Sequence, residues 1–274
     1  MDILRVGYIG SSYKIAEYIF LSQKFELNQI FCENNRVNKD IILFSELYNV
    51  KLTIINSIAE LENEIELNLG SISFYIMYNF GLIISDLIIS KTNVFNIHSG
   101  NLNNNRGRNP IERCILNNER WAEISIYQIS NKLDLGLLIY SEKVNISLHD
   151  DSNIIRKKLE NKIPKLLNKL FLFRQEKKGQ IVSKGEYYKR ISEADFTLNL
   201  EEDTIIQIFN KIRSQLSYNG AILLIGGEKY HVLSIKDIDL LPENQNKLEL
   251  LKKDNEVIFS KGNYRITLHI VLDH

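Results

Sequence analysis

Apolar and polar positions along the chain follow two alternating periods. Ile3–Ile9 (ILRVGYI) is an apolar, largely β-branched run of the kind that fills a strand buried on both faces. Gly10-Ser11-Ser12 breaks it, and from Tyr13 to Lys24 the apolar residues Ile15, Ile19 and Phe20 recur at helical spacing. The same alternation continues. Strand Leu27–Cys32 precedes helix Asp40–Tyr48, strand Leu52–Ile55 precedes helix Ser57–Asn68, and the uncharged strand Ser73–Tyr78 precedes helix Leu82–Ser90. Strand Asn93–Ile97 leads into a polar loop. Pro110 then opens a helix through Leu116, at a position where its missing N–H costs nothing. Glu123–Ile129 and Leu137–Val144 read as strands. The helical period returns over Asp151–Lys178, capped by Asp150, Asp151 or Ser152 and ended by Lys177-Lys178-Gly179.

Strand followed by helix, again and again, predicts an α/β fold: a Rossmann-like, mostly parallel sheet with helices on both faces. The pattern changes after Tyr187. A helix over Asp203–Ser214 is followed by Ile222–Ile225 and Glu228–Ile235, joined by a Gly226-Gly227 hairpin turn. Leu248–Leu251, Glu256–Ser260 and Tyr264–Val271 complete a small β-rich C-terminal domain. The expected division is a catalytic domain over residues 1–180 and a second domain over 181–274.

Charge narrows the partners. Lys and Arg number 34, as do Asp and Glu. This balance weighs against a broad nucleic-acid footprint, which needs clustered cations to neutralise phosphates. Cys32 and Cys114 have neither metal nor redox spacing, so free thiols in a reducing compartment are expected. The N-terminus enters a strand without a signal-peptide pattern, and no apolar run reaches the roughly 18 residues of a membrane span. A cytoplasmic protein with no membrane contact is expected. His149, His231, His269 and His274 are scattered without zinc-ligand spacing, so no metal is expected.

The candidate chemistry lies between residues 94 and 136. Asn96 and His98 are two apart, so on a strand they face the same way. A histidine beside an apolar run is more often packed than reactive, but the loop of Asn, Gly and Arg that follows suits a site better than a core. Ser11 and Ser12 follow a single glycine, which is not the dinucleotide fingerprint. They are placed to hold phosphate or sugar hydroxyls.

The pattern Asn-x-His, then Arg-Gly-x-x-Pro, then Asp-x-Gly resembles the folate-dependent formyltransferase family. Asn96, His98, Arg106-Gly107-Arg108-Asn109-Pro110 and Asp134-Leu135-Gly136 carry it. After residue 186, Arg190 to Asp195, Ile212-Arg213 and Tyr218-x-Gly220-Ala221 are similar to that family's linker and small open barrel. Two departures stand out. The family often reads His-Pro-Ser-Leu-Leu-Pro, whereas this chain reads His98-Ser99-Gly100-Asn101-Leu102-Asn103. Without the prolines, the 99–105 loop is expected to be more mobile or differently shaped. Tyr127 stands where a second histidine is common.

The resemblance implies an enzyme that moves a formyl group from the co-substrate 10-formyltetrahydrofolate to an amine, without a metal. His98 would be the base, Asn96 the donor to the oxyanion, and Asp134 the carboxylate that orients His98. Phe80-Gly81-Leu82, after the uncharged strand, would line the pterin slot together with Gly136. Arg106, Gly107, Arg108 and Asn109, with Ser11 and Ser12, would meet the acceptor. Charge balance ranks an NDP-linked aminodeoxysugar above a tRNA. The expected activity is therefore that of a sugar-nucleotide N-formyltransferase serving surface polysaccharide (O-antigen) biosynthesis. The alternatives are methionyl-tRNA formyltransferase and a non-catalytic member of the fold. Expected partners are the nucleotide-linked aminosugar and folate, with no nucleic acid and no membrane; a homodimer is left open.

Overall fold

The computed structural model describes residues 3–131, 136–176, 179–182, 187–245 and 250–273. Strands β1 (Leu4–Ile9), β2 (Phe25–Glu33), β3 (Lys51–Ile55), β4 (Phe74–Tyr78) and β5 (Val94–His98) alternate with helices α1 (Tyr13–Phe20), α2 (Lys39–Tyr48), α3 (Ile58–Leu67) and α4 (Asp86–Lys91). Next come β6 (Arg106–Gly107), α5 (Pro110–Leu116), β7 (Trp121–Ile129), β8 (Gly136–Asn145), α6 (Ser152–Glu160), α7 (Ile163–Glu176), β9 (Gln180–Val182) and β10 (Tyr187–Tyr188). The chain ends with α8 (Glu193–Phe196), α9 (Ile205–Gln215), β11 (Ala221–Ile225), β12 (Glu228–Gln245), β13 (Leu250–Lys253) and β14 (Glu256–Leu272).

An eight-stranded sheet runs in the order β3-β2-β1-β4-β5-β7-β8-β9. Its first five strands are parallel to one another, and β7 returns antiparallel beside β5. The fold is thus α/β with a mostly parallel sheet. From β1 the chain winds outward to β2 and β3, then crosses back to β4 and β5. The strand order reverses between β1 and β4, and in such sheets the crevice at the carboxyl ends at this point is where ligands bind. Every residue of β4 is buried, as its lack of charge predicts for a strand covered on both faces.

Contacts divide the chain into two compact units. The first comprises residues 1–106, 123–143 and 158–187, and the second residues 107–122, 144–157 and 188–274. In the first, an edge-to-face series of rings, Phe25–Phe74–Phe95–Phe173, ties β2, β4 and β5 to α7. The second has its own core. Ile208 and Ile212 of α9 pack with Leu223, Val232, Phe259 and Leu268 from a four-stranded antiparallel sheet ordered β11-β12-β14-β13.

Several element boundaries differ from expectation, and three of the differences have a direct physical reason. The helix expected over 151–178 is two helices. Pro164 has no amide hydrogen to continue a helix but fits the first turn of a new one. Helix α4 starts at Asp86 rather than Leu82, because Ser85 Oγ accepts from Ile88 N and caps it. That leaves residues 80–84 as loop at the carboxyl end of β4. Strands β12 and β14 run longer than their apolar patterns, since the two pair along most of their length and satisfy each other's backbone groups. Among the described residues, no helix is long and apolar enough to cross a membrane.

Candidate active site

Asn96 and His98 occupy the carboxyl end of β5, opposite Tyr127 and Ser125 of β7. Asn96 Nδ2 donates to Tyr127 Oη at 3.0 Å. Tyr127 is buried against Leu102 and Val182. The phenol takes one of the two amide hydrogens of Asn96, and the half-buried side chain keeps a second N–H.

His98 is 9% exposed, and its Nε2 lies 3.1 Å from Asn105 O. A carbonyl oxygen can only accept, so Nε2 carries the hydrogen in this bond and the neutral ring keeps its lone pair on Nδ1. The carbonyl comes from the proline-free loop, which has its own internal ties. Asn101 Oδ1 accepts from Asn103 N at 2.7 Å and Asn104 N at 3.2 Å, and Asn101 O accepts from Asn105 N at 2.7 Å. Asn101 Nδ2 donates to Glu123 Oε2 at 2.8 Å, Ser125 Oγ donates to Gly100 O at 2.9 Å, and Leu102 is buried. An asparagine turn does here what rigid rings would do in a proline-containing loop.

Asp134 lies outside the described residues, as does Leu135. Gly136 opens β8 with φ +154°, and a Cβ there would sit 2.0 Å from Gln128 O. Close backbone approach alone requires glycine at this position.

The turn after β4 is clamped from β2. Asn79 adopts left-handed backbone, φ 52°. The buried carboxylate of Glu33 accepts from Gly81 N at 2.7 Å and pairs with Arg36 Nε at 3.1 Å, while Arg36 Nη1 donates to Asn79 O at 2.6 Å. Phe80 packs against the core cluster that includes Ile9 and Met77, and Leu82 is half-buried. Gly81 N is therefore already bonded, so what the turn offers a flat heteroaromatic ring is its apolar side chains. Neither Glu33 nor Arg36 stands out in the sequence. The available signal is a carboxylate ending an otherwise apolar stretch of β2.

The turn after β1 approaches the same strand ends. Ser12 N donates to Tyr8 Oη at 3.2 Å, and Asn38 Nδ2 donates to Ser11 O at 3.0 Å. Burial holds the Tyr8 phenol well above its ordinary pKa, so it stays protonated. Tyr78 Oη donates to Glu160 Oε1 at 3.1 Å and lies 3.5 Å from Ser99 Oγ, beside His98. The carboxyl ends of the neighbouring strands β1, β4 and β5 thus gather Ser11, Ser12, Phe80–Leu82, Asn96 and His98 at the point where strand order reverses. Tyr78 reads in sequence only as a strand residue, so its polar role went unanticipated. Arg106 is buried in this unit.

Gly107, Arg108 and Asn109 belong to the second unit. Arg108 is exposed, and its amide donates to Tyr188 O at 3.3 Å. Asn109, in left-handed conformation, precedes Pro110 at the start of α5. From that helix Arg113 bonds Asp195 at 3.0 Å and lies over the Tyr188 ring, while Glu112 accepts from Tyr218 Oη at 2.8 Å. Among the described residues, no group of His, Cys, Asp and Glu could hold a metal ion.

A family model described as formyl transferase matches residues 37–170. Methionyl-tRNA formyltransferase of Malacoplasma penetrans is 28% identical over 242 residues, covering 82% of this chain and 75% of that protein. The same enzyme of Mycoplasma mycoides is 28% identical over 205 residues, and the match spans 63% of its length. Among solved structures, the N-formyltransferase from Helicobacter canadensis, in complex with folinic acid and dTDP-3-aminofucose, superposes with a TM-score of 0.69 at 17% identity. It covers 98% of this chain and 100% of that one. The motif residues of 96–136, the sheet that carries them and these relatives together support a folate-dependent formyltransferase family for this chain.

Proposed function

We propose that the protein transfers the formyl group of 10-formyltetrahydrofolate to the amine of a nucleotide-linked aminodeoxysugar, of the kind used for surface polysaccharide. In this reaction the acceptor nitrogen bonds to the formyl carbon and the bond from that carbon to folate N10 breaks. One proton leaves the amine and one reaches N10. The observation that carries the reading is the state of His98. Its Nε2 is committed to Asn105 O, which leaves the Nδ1 lone pair to take the amine proton and then deliver it. A positioned general base of this kind contributes roughly 10²–10⁴-fold. Two residues away, the second N–H of Asn96 would donate to the oxygen that gains charge as the carbon becomes tetrahedral. One such donor is worth about 3–4 kcal/mol of barrier. Asp134 would stabilise the imidazolium form of His98. Phe80 and Leu82 would flank the pterin. Ser11, Ser12 and Arg106 would meet the nucleotide and sugar.

A second reading, methionyl-tRNA formyltransferase, is favoured by the names of the sequence relatives. Charge weighs against it. The region after Tyr187 has eleven Lys and Arg against thirteen Asp and Glu, so it offers no excess of cations to a phosphate backbone. The size match to the Helicobacter N-formyltransferase, nearly end to end in both chains, also supports the sugar.

The test incubates the enzyme and 10-formyltetrahydrofolate with a panel of NDP-aminosugars, and in parallel with charged initiator tRNA at physiological salt. Mass spectrometry reads the gain of a formyl group. Formylated sugar with unmodified tRNA is the expected result. Formylated tRNA with unmodified sugars would reverse the ranking, and no product from either would overturn the activity.

A further inference from the structure

We propose that Asn101 and Glu123 are positioning residues that hold the Asn105 carbonyl against His98 Nε2 and thereby fix the imidazole tautomer. The inference deepens the reading of His98 as the base. It starts from the fact that a neutral imidazole has one donor and one acceptor nitrogen, and that the partner of one nitrogen decides the role of the other. Among the described residues, the partner of His98 Nε2 is a loop carbonyl at 3.1 Å. The tautomer is therefore only as well defined as the position of that loop.

Asn101 and Glu123 contribute to that position. Asn101 Oδ1 takes the amide hydrogens of Asn103 and Asn104, which closes the turn, and Asn101 O takes that of Asn105 at 2.7 Å. These bonds shape the loop. Asn101 Nδ2, 2.8 Å from Glu123 Oε2, ties it to β7, assisted by the Ser125 Oγ bond to Gly100 O and by buried Leu102. Glu123 lies on β7, two residues before Ser125, which is registered opposite His98. Strand, turn and ring are thus linked by Glu123 to Asn101, Asn101 to the Asn105 backbone, and the Asn105 carbonyl to His98. A bond to a carboxylate is stronger than a neutral one, and Glu123 is largely buried, so solvent competes weakly for it. Among the described residues Lys143 pairs with Glu123 only at 4.0 Å and is mostly exposed, which leaves the carboxylate available to Asn101.

The tautomer can be read without any substrate, which separates this proposal from the choice of acceptor. Long-range ¹H–¹⁵N NMR of imidazole-labelled enzyme, held above the histidine titration and assigned with His98→Asn, should show His98 with a protonated Nε2 and a lone pair on Nδ1. Glu123→Ala should shift His98 toward a mixture of tautomers and lower kcat about tenfold or more, within the loss caused by misplacing a group by an ångström. KM for folate and acceptor should stay within about twofold, and Glu123→Gln, which keeps an acceptor for Asn101 Nδ2, should restore both signals. Should Glu123→Ala not fold, Asn101→Asp gives the same readout. It keeps the oxygen that closes the turn but sets a carboxylate against Glu123. An unchanged His98 tautomer in folded Glu123→Ala or Asn101→Asp would overturn the proposal. So would a loss confined to KM.

Discussion

Tyr127 presents its phenol oxygen to Asn96 Nδ2 at 3.0 Å from within a packed core, so the orientation of the amide is set by a side chain that itself has no freedom to move. Removing the hydroxyl should therefore release the amide while leaving the ring in place. Tyr127→Phe is expected to lower kcat about tenfold with little change in KM, because a donor to the developing oxyanion acts mainly in the transition state. Its stability cost should be about 1 kcal/mol, the net value of one hydrogen bond. Asn96→Ala should cost roughly 10²–10³ in kcat. Steady-state kinetics with urea unfolding of both variants checks this, and an unchanged kcat in Tyr127→Phe would refute it.

The clamp from Glu33 and Arg36 onto Asn79 and Gly81 predicts a selective effect on the folate side. A Cβ at Gly81 would come within 2.7 Å of Arg36 Nη2 and 2.8 Å of Glu33 Oε1, so Gly81→Ala must displace both side chains or the turn itself. Glu33→Ala removes the acceptor of the half-buried Gly81 N, at a cost of about 1 kcal/mol, the net value of one hydrogen bond. Both variants are expected to raise KM for 10-formyltetrahydrofolate several-fold while KM for the acceptor stays near its original value. Titrating each substrate at saturation of the other decides the matter, and equal rises in both constants would count against it.

Much of this arrangement was legible in the sequence because it rests on local patterns. Period and length identified the strands that place Asn96 and His98 at one sheet edge, and the spacing of two put both on one face. What stayed hidden depends on partners distant in sequence. Glu33 and Gly81 are unremarkable until parallel pairing brings β2, β1 and β4 into one sheet. Glu123 looks like a solvent-facing strand residue until Asn101 reaches it. The missing prolines suggested a mobile or altered loop, since asparagine carries no sign of which backbone amides its side chain will bind. Pro164 was visible, but the helical period across it was the stronger pattern, so the break between α6 and α7 went unread.

Burial makes a thiol less acidic, and Cys32 is predicted to be unreactive for that reason. Desolvation foremost, with the neighbouring Glu33 charge adding and Arg36 opposing, pushes its pKa up to about 11. Cys114 is buried as well. At pH 8 the native protein should react with an aromatic disulfide reagent only as fast as it unfolds, and both thiols should react at once in denaturant. The linkage follows from the sign of the shift. The folded-state value is raised, so the contribution of Cys32 to stability is present in full below about pH 9 and is lost as pH rises through 11. Cys32→Ala should flatten the alkaline loss of stability over that interval. A fast native reaction of Cys32 would contradict the account.

Gly136 separates a packing role from a ligand role. Its φ of +154° and the 2.0 Å between a would-be Cβ and Gln128 O leave no side chain that fits without moving backbone. Gly136→Ala is therefore expected to destabilise the protein by about 4 kcal/mol or more, in the range reserved for strained or overpacked positions. Gly226 is the control. Its φ is +60°, and nothing lies within 4 Å of its would-be Cβ, so alanine there should cost only the roughly 1–2 kcal/mol of left-handed backbone. Thermal unfolding of the two variants side by side measures the difference. Were Gly136→Ala to fold with near-normal stability and lose only its affinity for folate, the glycine would be there for the ligand and not for Gln128.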